Sequence, residues 1–290
     1  MLGDSRVASF PSKAARLRAL LRDERPLVLP GVFNGISALA AEAAGAKAVY
    51  ISGAGVINGT AGFPDIGLLS MAEVAQQMRY ITGAVAIPAL ADADTGFGEG
   101  LALGRTVEEF ERAGVAGIHI EDQQMPKKCG HLEGKRLVSR QEFVQRIQAA
   151  VQARSDPNFV ICARTDARGV IGFDDAVERA RACLDAGADL IFPEALASEE
   201  EFAAFAEKVQ GPLLANMTEF GKTPWITDAE WESMGYGIVL HPVTTFRLAA
   251  RAIEDALKQM RREGNQESLQ TSGQLMPRAE IDSYLIANPA

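Results

Sequence analysis

The sequence has few cysteines, no cluster of basic residues and no long apolar run, and each absence argues against a class of protein. No stretch approaches the roughly 18 apolar residues that span a bilayer, and residues 1–11 lack the apolar core of a signal peptide. The net charge of −9 comes without a Lys/Arg run, which argues against nucleic acids and anionic membranes as partners. Three cysteines without metal-type spacing fit a reducing compartment rather than a disulfide framework. We expect a cytoplasmic protein.

A recurring phrase, in which a helical segment ends at a glycine and a β-rich run follows at once, indicates the fold. It occurs at Gly45, Gly114, Gly187 and Gly235. Glycine suits this place because the residue after a helix often takes a left-handed conformation. Strands that are apolar on both faces and alternate with helices indicate a buried parallel sheet. Further apolar runs of strand length lie at 27–29, 87–91, 159–163 and 212–215.

Eight such units predict a (β/α)₈ barrel, with helices that include 71–81, 102–113, 140–151 and 173–184. A doubly wound open sheet is the alternative, but the G-x-G-x-x-G turn after its first strand is missing. We expect one barrel domain over residues 1–290 with a C-terminal helical extension from about residue 265. The extension includes an accessory helix near 278–285, which could be exchanged between subunits.

Cys129 lies within Lys127-Lys128-Cys129-Gly130-His131, next to two ammonium groups and an imidazole. Nearby cations stabilise a thiolate and make it reactive, so this cysteine is a candidate functional group. The competing interpretation is an ordinary exposed loop. Cys162 and Cys183 lie in apolar runs and are predicted to be small core residues.

Polar side chains follow the predicted strands, and in a barrel they converge on one face. Asp92 and Asp94 are two apart on a predicted strand, so their carboxylates should point the same way. Together with Glu121 they favour a site for a hard divalent cation, and Mg²⁺ fits better than zinc. The alternative for each aspartate alone is a helix cap or a solvated loop.

Two further groups at the strand ends are suited to hold carboxylates. Arg164 offers a bidentate guanidinium, although a salt bridge to Glu121 or Glu194 is also consistent with its position. The Ser52-Gly53-Ala54 turn offers a hydroxyl and consecutive backbone N–H groups. A plain tight turn is the competing explanation for this segment.

With these residues in place, the chain resembles the isocitrate lyase and phosphoenolpyruvate mutase superfamily from about Arg16 to the C-terminus. The Lys-Lys-Cys-Gly-His segment is characteristic of its lyase branch, and mutases generally lack the cysteine. The resemblance also rests on motifs at strand ends: Tyr50-Ile51-Ser52-Gly53, Gly62-Phe63-Pro64-Asp65, 92–98, Glu121-Asp122-Gln123, 163–166, Phe192-Pro193-Glu194-Ala195 and 215–221.

The resemblance implies a Mg²⁺-dependent cleavage of the C2–C3 bond of a tricarboxylate, giving pyruvate and succinate from 2-methylisocitrate in propionate catabolism. Asp92 and Asp94 would hold the metal, and Glu121 and Asp65 would order its waters. Tyr50, assisted by Arg164, would remove the hydroxyl proton, and Cys129 on a closing loop would protonate the succinate carbon. Substrate contacts are expected from these residues: Ser52, Gly53, Ala54, Cys129, Gly130, His131, Arg164, Glu194, Asn216, Met217, Thr218, Arg247 and Arg278.

The Phe192-Pro193 pair agrees with a site that accepts the methyl group by which 2-methylisocitrate differs from isocitrate. The role of His241 is open. The resemblance further implies a homotetramer. The nearest alternatives are a 2,3-dimethylmalate lyase and an oxaloacetate hydrolase of the same superfamily. A Schiff-base aldolase would need a lysine at a strand end, which no predicted strand supplies. The last alternative is a barrel that serves as a non-enzymatic scaffold. Such a protein would tolerate loss of the converging charged residues, which are intact in this sequence.

Overall fold

Eight parallel strands form the centre of the protein in a computed structural model that describes residues 12–130 and 132–286. The first strand pairs with both the second and the eighth, with Leu27 opposite Ile238. A single bridge between Ile191 and Leu213 links the sixth strand to the seventh and completes the ring. The predicted (β/α)₈ barrel is therefore confirmed. The strands are β1 Leu27–Val32, β2 Val49–Ile51, β3 Ala89–Asp92, β4 Gly117–Glu121, β5 Val160–Thr165, β6 Leu190–Pro193, β7 Leu214–Asn216 and β8 Ile238–His241.

Helices alternate with these strands along the part of the chain that the structure describes. A π-helical turn at Ile57–Ala61 and a 3₁₀ turn at Ala167–Gly169 follow β2 and β5. The α-helices are α1 Lys13–Asp23, α2 Gly35–Ala43, α3 Gly53–Val56, α4 Met71–Ala84, α5 Leu101–Arg112, α6 Arg140–Ala153, α7 Phe173–Asp185, α8 Glu199–Val209, α9 Asp228–Ser233, α10 Thr244–Glu263, α11 Glu267–Thr271 and α12 Arg278–Ile286.

Local sequence signals set the helix ends. Helices α4, α6 and α9 begin with a Ser or Thr cap whose hydroxyl accepts a backbone N–H, while a glutamate three residues later accepts the N–H of the cap residue. The four glycines of the recurring phrase all have positive φ, between 81° and 98°. These glycines end the helices as the sequence predicts, because the left-handed conformation is strained for other residues.

The core has two layers. Apolar side chains between the strands and the outer helices form the larger one, which includes Cys183. The second fills the barrel interior and includes Leu29, Cys162 and Leu240. Leu17 of α1 packs into this interior layer, so α1 covers the amino-terminal end of the barrel. Both cysteines are buried as predicted, and the carboxyl ends of the strands remain for a functional site.

Helix α10 differs from the other long helices because none of its side chains is buried. Leu248, Ile253 and Leu257 are 66%, 60% and 58% exposed. Beside the start of α10, an apolar groove of about 840 Å³ lies against β1 and α2. The accessory helix is present as α12, and it contacts α2. Within residues 12–130 and 132–286, no helix has the length and apolarity needed to cross a bilayer.

Candidate active site

A cavity of about 350 Å³ opens at the carboxyl ends of the strands. Its wall contains groups from β2, β3, β5, β6 and β7, and from the start of α10. Residues far apart in sequence therefore meet at one place, as expected for the barrel. Of the residues predicted for the site, those lining the cavity are Tyr50, Ser52, Ala54, Asp65, Asp92, Cys129, Gly130, Arg164, Glu194, Asn216, Thr218 and Arg247.

One side of the site is acidic. Asp92 ends β3, and its Oδ1 accepts the backbone N–H of Asp94 at 2.9 Å. Lys127 Nζ lies 2.7 Å from Asp94 Oδ1 and also pairs with Asp65. The prediction that both aspartates lie on one strand is wrong for Asp94, which follows the strand in a left-handed conformation with φ 47°. The turn, rather than the alternation of a strand, directs its carboxylate to the site.

Burial and neighbouring charges shift the pKa values of this cluster in different directions. Burial raises the pKa of Asp94 to about 6, although Lys127 opposes the shift. Burial also acts to raise the pKa of Asp92, but His119, Lys127 and Arg164 outweigh it, so the net shift is downward. Burial raises the pKa of Glu121 well above its ordinary value. The carboxyl groups of Asp94 and Glu121 are therefore easier to protonate than usual, whereas that of Asp92 is held in its charged form.

The donor atoms suit a hard cation. They are carboxylate oxygens, which Mg²⁺ prefers to nitrogen or sulfur. Glu121 Oε1 is buried without a hydrogen-bond partner among the described residues. A Cβ at Gly53 would lie 2.5 Å from Asp92 Oδ2, so only glycine leaves this carboxylate accessible from that side. In the described ranges, no three His, Cys, Asp or Glu side chains group closely enough to hold a metal alone. A cation here would keep several waters, as Mg²⁺ does.

Tyr50 lies beside this acidic cluster. Its hydroxyl is 2.8 Å from His119 Nε2 and 3.4 Å from Asp92 Oδ2. Burial lowers the pKa of His119 to about 4, so the imidazole is neutral at pH 7. Burial and the charge of Asp92 raise the pKa of Tyr50 well above its ordinary value. In this arrangement Tyr50 is a phenol that exchanges a hydrogen bond with a neutral histidine.

Arg164 lies between three carboxylates. Its Nε is 3.4 Å from Glu121 Oε2 and 3.1 Å from Asp166 Oδ2, and its Nη2 is 3.7 Å from Glu194 Oε2. Asn216 Nδ2 donates to Glu194 at 3.2 Å, while Asn216 Oδ1 is buried without a hydrogen-bond partner in the described part of the chain. The salt bridges expected from the sequence are therefore present, and they hold the guanidinium at the cavity wall.

Cys129 is carried by a segment that lies across the cavity, the cysteine loop (residues 124–138), of which His131 lies outside the described residues. A Cβ at Gly130 would be 2.5 Å from Glu194 Cδ and 2.6 Å from Arg164 Nη2, so the loop backbone rests directly on these side chains. The ammonium of Lys127 contacts Asp65 and Asp94, and that of Lys128 donates to the Glu133 carbonyl at 3.3 Å. Carboxylates thus neutralise the charge of Lys127.

Ser52 and Arg247 line opposite parts of the cavity. The Ser52 hydroxyl accepts the N–H of Gly55 at 3.0 Å, which leaves its own hydrogen available to a ligand. Arg247 is half-exposed, with Nε 3.6 Å from Glu219 Oε2 and its guanidinium 5.1 Å from the Phe220 ring centroid. Both are placed to contact an anion that enters the cavity.

Some predicted residues are not brought to the wall of the cavity, and Asp94 and Glu121 of the acidic cluster are among them. Met217 is buried and lies between two lining residues, and Gly53 lies behind Asp92. Arg278 is exposed on α12 and pairs with Asp282 at 3.4 Å, so it does not contribute to the cavity of its own chain. His131 falls outside the described residues. His241 ends β8 and is not among the lining residues.

Sequence reasoning missed three features of the site. His119 precedes Glu121 by two positions on β4, so strand alternation could have indicated that both face inward. Lys127 was expected beside the thiol but pairs with Asp65 and Asp94 across the site. Apart from Phe192, no local pattern indicates the apolar part of the wall, which comes from separate elements: Leu240, Val243 and Phe246.

Comparisons with known proteins agree with this geometry. The sequence profile described as phosphoenolpyruvate phosphomutase matches residues 17–261. A 2-methylisocitrate lyase of Aeropyrum pernix is 54% identical over 253 residues, which cover 87% of this chain and 81% of the relative. A solved oxaloacetate acetylhydrolase in complex with 3,3-difluorooxalacetate has 39% identity and a TM-score of 0.85, with 88% of each chain covered. A phosphonopyruvate hydrolase complex with oxalate and Mg²⁺ has 31% identity and a TM-score of 0.83, with 94% of each chain covered.

Proposed function

The chain belongs to the phosphoenolpyruvate phosphomutase family, and from that premise we propose that it is a Mg²⁺-dependent carbon–carbon lyase that cleaves 2-methylisocitrate to pyruvate and succinate. The family is the one that the sequence resemblance predicted. The relative from A. pernix, at 54% identity, carries the name of this activity. The observation that carries the proposal is one cavity lined by Asp65 and Asp92 of the acidic cluster, by Cys129 and by Arg164, whose Nε lies 3.4 Å from Glu121 Oε2.

The carboxylates of Asp92 and Asp94 would hold the metal ion, with Glu121 and Asp65 ordering its waters. Bound Mg²⁺ supplies a Lewis acid for the hydroxyl and carboxylate oxygens of the half that becomes pyruvate. Support comes from the oxygen-only donor set and from the relative solved with oxalate and Mg²⁺.

The remaining polar residues are suited to orient a tricarboxylate. Arg164 and Arg247 supply guanidinium groups for substrate carboxylates, and Ser52 supplies a hydroxyl hydrogen. Asn216 and Thr218 follow with an amide and a hydroxyl at the end of β7. The backbone N–H groups at Gly53, Ala54 and Gly130 complete the predicted contacts, together with His131, Glu194 and Met217.

The proposed reaction requires two proton transfers: the C2 hydroxyl of the substrate loses a proton, and the carbon that becomes part of succinate gains one. Removal of the C2 hydroxyl proton allows the new carbonyl to form as the C2–C3 bond breaks, and the bonding pair moves to the succinate carbon. Tyr50 is the proposed base, and because its phenol is protonated it takes up the substrate proton only as its own proton passes to neutral His119, whose Nε2 lies 2.8 Å from the hydroxyl. Cys129 gives its thiol proton to the succinate carbon as general acid. The cysteine loop excludes water that would otherwise compete as proton donor.

The apolar wall favours this substrate over isocitrate. Phe192, Leu240, Val243 and Phe246 offer carbon surface beside the polar groups, and a substrate methyl buried there gains about 1–3 kcal/mol. Arg164 lies 5.1 Å from the Phe192 ring centroid, which fixes that ring relative to the carboxylate-binding group. Phe192 is thus the residue we assign to the methyl group.

A product assay tests the proposal. Purified protein with Mg²⁺ is given 2-methylisocitrate, isocitrate, 2,3-dimethylmalate or oxaloacetate, and pyruvate, succinate, oxalate and acetate are quantified. We expect pyruvate and succinate in equal amounts from 2-methylisocitrate, with the other substrates slower. Preferred cleavage of 2,3-dimethylmalate, or oxalate from oxaloacetate as the main product, would assign the site to one of the two alternative activities. The relative with oxaloacetate acetylhydrolase activity makes the second comparison necessary.

Helix α10 packs on β1 but buries none of its side chains among the described residues, and this supports a proposal about assembly. Its exposed Ile253 and Leu257 are four residues apart and so share one face of the helix, and Leu248 lines the apolar groove beside β1 and α2. We assign a second copy of the chain to this surface, in an assembly that reaches the predicted homotetramer and brings α12, with Arg278, next to a neighbouring subunit. Light scattering of the protein should give four chains per particle, and Leu257→Lys should reduce that number. A monomer at all concentrations would contradict the assignment.

A further inference from the structure

Lys135 occupies an unusual position near the base of the cysteine loop. Its side chain is only 4% exposed, and its Nζ donates both to the backbone carbonyl of Gly130 and to Asp166 Oδ1, the latter at 2.7 Å. A buried ammonium is stable only when its hydrogen bonds are made, so both contacts hold this side chain in place. The ammonium group of Lys135 thus links two parts of the protein. It is paired with Asp166 of the barrel, and it holds the carbonyl of Gly130, the residue after Cys129.

The barrel side of this contact is rigid. The backbone N–H of Asp166 donates to Asp122 Oδ1 at 2.9 Å, and Asp122 also accepts the Thr165 hydroxyl at 2.7 Å. Asp122 is further paired with Arg179 of α7 at 3.3 Å. All of these groups are buried. Asp166 is therefore a fixed point from which the loop can be held.

The same carboxylate of Asp166 also pairs with Arg164, at 3.1 Å from its Nε. Asp166 is therefore shared between the cavity arginine and the loop lysine. The loop base has its own connections, because Gln124 N donates to Arg136 O at 2.7 Å and Val138 N donates to Asp122 O at 2.9 Å. The side chain of Gln123 also bonds the backbone N–H and carbonyl of Lys128, both at 2.9 Å, so the segment that leads to Cys129 is held as well. At the tip, the contact from Lys135 to the Gly130 carbonyl is the link to Asp166.

We propose that Lys135 is a positioning residue that latches the cysteine loop over the cavity by holding the Gly130 carbonyl to Asp166. The latch sets the place of Cys129 relative to Arg164 and thereby the geometry of proton transfer to substrate. It acts through the loop backbone and touches no reacting atom. The inference rests on the proposed function in that Cys129 is the general acid.

The first test measures the loop without catalysis. Cys162 and Cys183 are fully buried, so iodoacetamide reports on Cys129, and mass spectrometry of the peptide gives its alkylation rate. Lys135→Met removes the latch, and we expect alkylation of Cys129 to accelerate on the order of tenfold, as loss of a charge-assisted hydrogen bond predicts. The matched control is Arg136→Met, which removes an exposed positive charge from the next position and should leave the rate unchanged.

The second test measures turnover. A released loop should lower kcat on the order of 10- to 100-fold in Lys135→Met with a smaller change in KM, because the charged carboxylate-binding groups Arg164 and Arg247 lie outside the loop. Lys135→Arg keeps the positive charge opposite Asp166 and should recover part of kcat. In a double variant with Asp166→Asn, the combined loss should be smaller than the product of the two single losses, because both remove one contact.

The outcomes separate the two proposals. An unchanged alkylation rate in Lys135→Met, an equal effect of Arg136→Met, or no recovery in Lys135→Arg would overturn the latch. If Lys135→Met does not fold, the alkylation rate of Cys129 is compared in the other two variants. Lys135→Arg keeps the positive charge of the latch, and Asp166→Asn removes the negative charge of its partner. Should the wild type fail to cleave 2-methylisocitrate while the alkylation contrast is present, the proposed function fails and the latch stands as a structural device.

Discussion

The backbone of Gly130 lies directly against the side chain of Glu194, so that a Cβ at position 130 would be 2.5 Å from Glu194 Cδ. Arg164 and Asn216 also contact the Glu194 carboxylate, at 3.7 and 3.2 Å, which leaves it little room to move. The cysteine loop can therefore take this position only with glycine at residue 130.

Gly130→Ala should reduce turnover because the added methyl group pushes the cysteine loop away from Glu194. Overpacking of this kind costs about 1–3 kcal/mol, which corresponds to roughly a 5- to 150-fold loss of kcat/KM. The matched control is Gly83→Ala in α4, where a Cβ would meet nothing within 4 Å. That variant should keep full activity. Steady-state kinetics of the two variants provide the measurement, and equal activities would refute the close approach.

Cys129→Ser should nearly abolish turnover while Mg²⁺ binding persists. The hydroxyl is a much weaker acid than the thiol, and loss of a general acid lowers rates by about 10²- to 10⁴-fold. Stopped assays with 2-methylisocitrate measure the first effect, and isothermal titration with Mg²⁺ measures the second. Wild-type turnover in the serine variant would remove Cys129 from the role of acid.

Chelation should stop the reaction, and a hard cation should restore it. Excess EDTA is expected to abolish pyruvate formation, with recovery by Mg²⁺ or Mn²⁺, because the proposed donors are carboxylate oxygens. Asp92→Asn should weaken Mg²⁺ binding at least tenfold in titration calorimetry, whereas Asp174→Asn on the surface of α7 should not. Undiminished activity in EDTA would contradict a metal-dependent mechanism.

The capping glutamate of α6 should stabilise the fold at neutral pH but not in acid. Hydrogen bonds from Ser139 lower the pKa of Glu142 below its ordinary value of 4.5. A lowered folded-state pKa adds stability above pH 4.5 that disappears as the pH falls through the folded pKa. The melting temperature of Glu142→Gln should therefore lie below that of wild type at pH 7 and approach it near pH 3.

Glu207→Gln, at an exposed position within α8 rather than at a helix cap, is the control for this comparison. Its melting temperature should follow that of wild type at both pH values. A constant difference between wild type and Glu142→Gln across the whole range would show that the charge of Glu142 plays no part.

The barrel could be predicted from the sequence because its signals are local. Each of the glycines at 45, 114, 187 and 235 ends a helix and precedes a strand, and the left-handed conformation they need restricts that place to few residue types. The helices at 71–84, 101–112, 140–153 and 173–185 agree with their predicted positions to within three residues at each end. Periodicity and caps within one segment are enough for such assignments.

The active site was harder to predict from the sequence than the barrel, because its geometry depends on turns and on residues that are distant in the chain. Asp94 reaches the acidic cluster through a left-handed turn, which strand alternation does not describe. Lys127 contacts Asp65, more than sixty positions earlier in the chain, and no pattern of spacing relates the two. Helix α10 is amphipathic in sequence like the other outer helices, yet none of its side chains is buried among residues 12–130 and 132–286.

The pairing of β1 with β8 has a consequence for synthesis on the ribosome. Leu27 and Ile238 are neighbours in the ring, so the nascent protein must be almost complete before its first strand finds its second partner. Until then the wall that Leu240 and Arg247 supply is still inside or near the exit tunnel. Ligand binding cannot assist the early stages of folding, and the catalytic pocket is among the last parts of the molecule to form.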